Sequence, residues 1–224
     1  MGEWATYQLS DLLLFSPRVY FRLFELLNRT SWPAQIVTLL AGAVILWLLL
    51  RPTVWRHRCI LVLLGIIWCG VAGNYFWRHY ATINWAATLI APLFILQGVL
   101  LSALGLWGRK MVVVGGRGAA WLVAFAICTL AMLGYPLLAP LAGRPLVQAE
   151  VFGLAPDPTV LATLAVLTMT LAGFRLIALV IPVLWCGFSA LTLWAMQAET
   201  FWFIAVAPVL FAALVILQVR NRQI

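Results

Sequence analysis

WAATLIAPLFILQGVLLSALGLW, Trp85 to Trp107, runs 23 residues without a charged side chain. A helix needs about 20 consecutive apolar residues to cross the roughly 30 Å hydrocarbon layer of a bilayer, so this stretch reads as a membrane span. It stops at Gly108, Arg109 and Lys110. On the other side of it lies Trp32 to Leu50, closed by Arg51 and Pro52, and then Ile60 to Trp77, closed by Arg78 and His79. After the turn Gly115, Gly116, Arg117 and Gly118, a fourth run ends near Leu141. Thr159 to Met196 is too long for one span and is interrupted by Gly173 and Arg175, which reads as two short helices with a tight turn between them. The last run is Phe201 to Val219, ahead of Arg220 and Arg222. The sequence therefore predicts an all-α, polytopic transmembrane helical bundle of about seven spans.

Composition agrees: 65% of the chain is hydrophobic and 9% charged, against about 25% charged in soluble domains. The net charge of +8 sits mostly at the ends of apolar runs, where topology and lipid phosphates account for it. No basic stripe is interleaved with aromatics as a nucleic-acid surface requires. Cys59, Cys69, Cys128 and Cys186 fall singly with no CxxC spacing, so they read as small packing residues and not as a disulfide framework or a metal site. No cofactor or metal is called for. Leu12 to Phe15 is cut off by Ser16, Pro17 and Arg18, unlike the apolar core of a signal peptide.

Counting Lys and Arg on alternate sides of the seven-span path puts Arg51, Arg56, Arg58, Arg109, Lys110, Arg117, Arg175, Arg220 and Arg222 on one side. Arg18, Arg22, Arg29, Arg78 and Arg144 fall on the other. The richer side is expected to be cytoplasmic, with the N-terminus outside and the C-terminus inside. Trp77, Tyr80 and Trp85 then bracket one outer turn, and Trp194 and Trp202 another, as an interfacial aromatic belt.

Three segments carry the polar chemistry. In the first, residues 1–30, Ser16 and Pro17 read as an N-cap and first helical position. Arg18, Arg22, Glu25 and Arg29 follow at spacings of four, three and four on one helical face. This is an interfacial amphipathic helix, ahead of a bundle at 31–224. In the second, Arg78, His79, Tyr80, Thr82 and Asn84 form a short donor-rich link. His79 has only His57 as a possible histidine partner, on the opposite side, so a bis-histidine site is not expected. The third, Arg144 to Thr159, holds Glu150 and places Asp157, ahead of Pro158, as a helix cap. On this topology Asp11, Glu25, Glu150 and Asp157 share one face with Arg18, Arg22, Arg78 and Arg144. The candidate site is therefore Arg18, Arg22, Glu25, Arg78, His79, Asn84, Glu150 and Asp157: either a ligand site or the charges that fasten the interfacial helix to the bundle.

No Asp or Glu falls in the middle of a proposed span, so an embedded carboxylate relay is not expected. Asn74, Gln97, Thr129, Thr168, Thr170 and Ser189 read as interhelical hydrogen-bonding groups, and Pro92, Pro136 and Pro182 as kinks that free a carbonyl. The GGRG turn lacks the Lys and Ser/Thr of a phosphate loop.

The strings LFSPRVYFRLFELLN, WPAQ, RHYATINWAA and EVFGLAPDPT resemble those of a bacterial membrane-protein family catalogued as domain of unknown function 6064. The likeness runs from about Trp4 to the last helix. It implies a bacterial inner-membrane setting and no particular activity. Three functions fit the residues: a small-solute permease or channel, a non-catalytic subunit or assembly factor of a larger membrane complex, and a membrane enzyme using Glu25, His79, Glu150 and Asp157 as acids and bases. The partners expected are membrane lipids and other membrane subunits, not nucleic acid.

Overall fold

A computed structural model describes residues 15–51, 53–108, 111–113, 118–172 and 175–220. The Asp11 position and the Gly115–Arg117 and Gly173 turns lie outside them. Helix α1, Pro17–Thr30, starts as its sequence predicts: the Ser16 side chain accepts from the Val19 amide at 3.4 Å and Pro17 takes the first turn. Tyr20, Leu23, Phe24 and Leu27 are buried, while Arg18, Arg22 and Arg29 face outward. α2, Ala34–Leu49, leaves at 91° to it. The α2 helix begins after a turn at Ser31–Pro33 and not at Trp32.

α3 runs over Val54–Thr82, longer than expected at both ends. Thr53 caps it by accepting from the Arg56 amide at 3.3 Å, which draws Arg56, His57 and Arg58 into the helix. From Ala72 to His79 it widens into a π-helix. α4, Ala87–Trp107, packs along α3 at very short range. A Cβ added to Gly98 would stand 2.6 Å from the Gly65 carbonyl oxygen, so only glycine lets these backbones approach. α5, Ala119–Leu141, also contains a π segment, Leu130–Gly134, followed by a tighter turn at Tyr135–Leu137. Pro136 there has no N–H to offer the preceding turn.

The next helix departs most from expectation. α6, Pro156–Met169, has every residue buried, against α3, α5, α7 and α9. Its 14 residues reach only about 21 Å. The chain then goes extended as β2, Thr170–Ala172, which pairs antiparallel with β1, Met111–Val113, in the register Met111 to Ala172. α7, Arg175–Ala195, follows, then α8, Phe201–Ala205, and α9, Ala207–Arg220, separated at Val206 just before Pro208.

Among the described residues four helices are long and apolar enough to cross a membrane: Val54–Thr82, Ala87–Trp107, Ala119–Leu141 and Leu176–Ala195. A fifth is reached if the bent α1–α2 pair counts as one. Seven helices of spanning length, as the sequence leads one to expect, are not found among the described residues. α6 ends in a strand before reaching spanning length, and the last apolar run is split. The fold is an all-helical bundle, compatible with a membrane protein, with one short β-ribbon.

Inside the bundle the expected kink at Pro182 has a specific consequence. Proline cannot donate to the carbonyl four residues back, here Ala178. Gln97 of α4, fully buried, donates its Nε2 to that oxygen at 2.8 Å. Gln97→Leu should therefore lower stability by about 1 to 2 kcal/mol. The same change should cost markedly less in a Pro182→Ala background, where α7 satisfies Ala178 itself. Thermal unfolding of the four proteins of this cycle checks it, and equal costs in both backgrounds would refute the pairing. Asn74 and Ser189 also bond between helices, to Ser31 and Asp157, whereas Thr129 and Thr168 bond back to Phe125 and Leu164 of their own helices.

Candidate functional site

Between Arg144 and Thr159 the sequence reads as a surface link, but from Ala149 onward the chain is buried. Irregular backbone survives inside a bundle only when its polar groups are met internally, and here they are. Gly153, with φ of +79°, turns the chain so that its amide donates to Thr159 Oγ1 at 3.0 Å; the Leu154 and Ala155 amides both donate to the Val151 carbonyl. A Cβ at Gly153 would stand 2.8 Å from Thr38 Cβ, which fixes the turn against α2.

That inward path changes the role of Asp157. The N-cap position is taken by Ala155 without a side-chain hydrogen bond. Asp157 does not cap α6 but turns into the bundle, 1% exposed, and accepts from Trp185 Nε1 at 2.7 Å and Ser189 Oγ at 2.8 Å. Trp185 and Ser189 are four residues apart, hence on one face of α7. A buried carboxylate is thus present where none was expected, held by two neutral donors.

Glu150 is buried beside it and meets the Arg144 guanidinium at 3.7 Å. Burial is the main force pushing its carboxyl up, to about 8; the Asp157 charge adds to this and Arg144 opposes it. Four tyrosines surround the acids. Tyr20 of α1, Tyr75 of the first π segment and Tyr135 beside the second lie in electrostatic reach of both carboxylates, and Tyr80 in reach of Asp157. Both π segments therefore deliver a tyrosine to the same place, and such segments recur at functional sites. Tyr80 is 1% exposed and belongs to this cluster and not to an interfacial belt, while Trp77, Trp85, Trp194 and Trp202 stay exposed. Tyr20, Phe24, Tyr75, Phe76 and Tyr80 pack with ring centroids 4.9 to 6.3 Å apart, Tyr75 stacked on Phe24 and Tyr80 and the other pairs edge-to-face, and Phe76 and Phe94 meet Trp185 edge-on at 5.3 Å.

α1 closes over the cluster. The Arg144 guanidinium lies 3.9 Å above the Phe21 ring, Asn28 donates to the Val147 and Ala149 carbonyls at 2.9 and 2.8 Å, and Gln148 donates to Glu25 at 3.5 Å. Glu25 also pairs with Arg29 at 2.8 Å. His79 takes Thr30 Oγ1 at 2.9 Å and the Asn74 carbonyl at 2.7 Å, so it ties α3 to the end of α1. Asn84 donates to Tyr80 Oη at 3.1 Å and accepts from the Ala86 amide at 3.0 Å. Of the eight residues singled out in the sequence, Glu150 and Asp157 form the buried centre. Glu25, His79 and Asn84 fasten its rim; Arg18, Arg22 and Arg78 are exposed. Trp185 and the tyrosines were missed, since apolar runs in membrane chains are rich in aromatics for other reasons.

No curated protein and no solved structure matches the chain. A family profile does match, over residues 17–224, and it covers every group in the cluster. The chain belongs to the family described as Family of unknown function (DUF6064).

Proposed function

We propose that this protein is a permease of the bacterial inner membrane that couples a small polar solute to protons. In this reading the N-terminus is outside and the C-terminus cytoplasmic, α1 lies in the outer interface, and the Glu150–Asp157 pair is the proton-binding centre. One observation carries the reading. A helix too short to span, buried on every side, is entered by irregular buried chain that carries Glu150, and it holds Asp157 in its first turn. Broken helices of this kind build the solute and ion sites of secondary transporters, and ionisable groups inside membrane bundles mark proton and substrate paths. Only Arg144 pairs with either acid among the described ion pairs. One cation against two carboxylates favours retention of a proton at neutral pH.

The same contacts that hold α1 down make it the outer gate. In this reading lifting α1 breaks the Phe21–Arg144 and Asn28 contacts and passes the buried side chains of Tyr20, Leu23, Phe24 and Leu27 to lipid. The test uses purified protein in vesicles with a pH dye inside and mixtures of amino acids, amines and small carboxylates added outside. Solute-dependent proton entry is expected in the wild type and lost in Glu150→Gln, while that variant still melts in one cooperative transition. Proton entry that no solute elicits, or that Glu150→Gln leaves intact, would overturn the reading.

A further inference from the structure

A groove of about 600 Å³ runs along the outside of the bundle between α5 and the α8–α9 pair. Leu130, Gly134 and Leu141 form one wall, Trp202 and Val206 the other, and Leu161 of α6 is its floor. Its origin lies in two interruptions already described. The π segment widens α5 where Gly134 has no side chain, and the opposite wall is interrupted at Val206. From Ile127 to Leu141, both of which line it, the α5 axis advances about 21 Å, more than the roughly 15 Å depth of one leaflet.

We propose that this groove is a binding site for one acyl chain of a bilayer phospholipid. Water is a poor occupant, because a buried water needs two to four polar partners and Tyr135 is the one lining residue with a polar side-chain group besides the indole of Trp202. An empty groove would forfeit dispersion contacts along both walls. A flexible hydrocarbon chain restores them. Trp202, 62% exposed at the groove's α1-side end, marks the headgroup level. Tyr135, 8% exposed, lines the groove and is also in electrostatic reach of Arg144, Glu150 and Asp157. The proposal rests on the bilayer setting and is independent of proton coupling.

A phosphatidylcholine carrying a mid-chain diazirine, diluted into vesicles holding the full-length protein, is photolysed and the labelled residues are mapped by mass spectrometry. Leu130, Gly134 and Val206 are expected to label about fivefold more than Leu89, Leu96 and Val99 of α4, a preference of about 1 kcal/mol. Those α4 residues are exposed by 56 to 63%, Leu130 by 65% and Val206 by 49%, while Gly134 is half-buried, so exposure alone does not favour the groove. Ala207→Phe, which fills the groove, should bring the groove residues down to the α4 level and leave α4 unchanged. If that variant does not fold, Gly134→Leu serves, since a Cβ there meets only the Leu130 side chain, at 3.3 Å or more. Even labelling of both surfaces in the wild type would overturn the site, as would chain-to-chain cross-links at the groove residues, which would assign it to a second copy. Absence of label on both surfaces would instead overturn the bilayer setting.

Discussion

Asp157→Ala is expected to lower the stability of the bundle by about 3 kcal/mol or more, the cost of stranding two buried donors. The indole of Trp185 and the hydroxyl of Ser189 both point at this one carboxylate, and both side chains are buried. Asp157→Asn keeps one acceptor oxygen in place and should lose about half as much. It cannot take up and release a proton, so solute-driven proton entry should stop although most of the fold is retained. Thermal unfolding in lipid discs, paired with the vesicle assay, separates the two roles. An alanine variant that melts like the wild type would show that Asp157 does not join α6 to α7. An asparagine variant that still moves protons would remove it from the proposed centre.

Arg144 sits at the junction of the acid pair and the gate, and its removal should act on both. Without it Glu150 loses its ion-pair partner and Phe21 its cation. Cation–π contact and a partly buried ion pair together suggest a loss of about 2 to 4 kcal/mol. Release of α1 should show as faster tryptic cutting after Arg18, Arg22 and Arg29. The pH dependence follows from Glu150, whose folded-state pKa is raised. The folded protein then holds the proton more tightly than the unfolded chain does. The resulting stability is complete below the ordinary value of 4.5 and is lost as the pH rises through about 8. Tyr20, Tyr75, Tyr135, Asp157 and Arg144 all face this carboxyl, and of these only Asp157 shares the window. Melting temperature should fall between those pH values in the wild type. It should fall less in Glu150→Gln, and in Arg144→Ala the fall should continue to higher pH, because loss of the guanidinium raises the folded-state pKa further. A wild-type melting temperature flat from pH 4.5 to 8 would contradict the burial of an ionisable Glu150.

Local rules were enough for the parts of this structure that local chemistry decides. Ser16 and Pro17 announce the start of α1, the spacing of Arg18, Arg22, Glu25 and Arg29 announces its wet face, and the uncharged run from Trp85 to Trp107 announces α4. Gly98, Ser102 and Gly105 also carried a signal, spacings of four and three between small residues, that foretells the close approach of α3. The interior could not be read in this way. An apolar run with threonines looks the same whether it faces lipid or is enclosed by protein, so nothing in Thr159 to Met169 tells that α6 is central. The motif Pro156, Asp157, Pro158 has the composition of a cap, and only the buried path set by Gly153 turns the carboxylate toward Trp185. Tyr80 satisfies the belt rule as well as the core rule, and the π segments that aim Tyr75 and Tyr135 arise from tertiary packing and Pro136, not from any periodic pattern.

The enclosure of α6 also bears on how the chain enters a membrane. A segment of 14 residues with Asp157 near its start and threonines along it gains little by leaving the insertion machinery for lipid alone. Its partners on one side, α3 and α5, are made before it, but Trp185 and Ser189 come later in the chain. The pairing of β1 with β2 joins the segments that flank α5 and α6, so these two helices form one closed excursion. α6 should therefore be retained beside the nascent bundle until α7 arrives with the donors for Asp157, which makes the entry of α6 and α7 a single cooperative step of assembly.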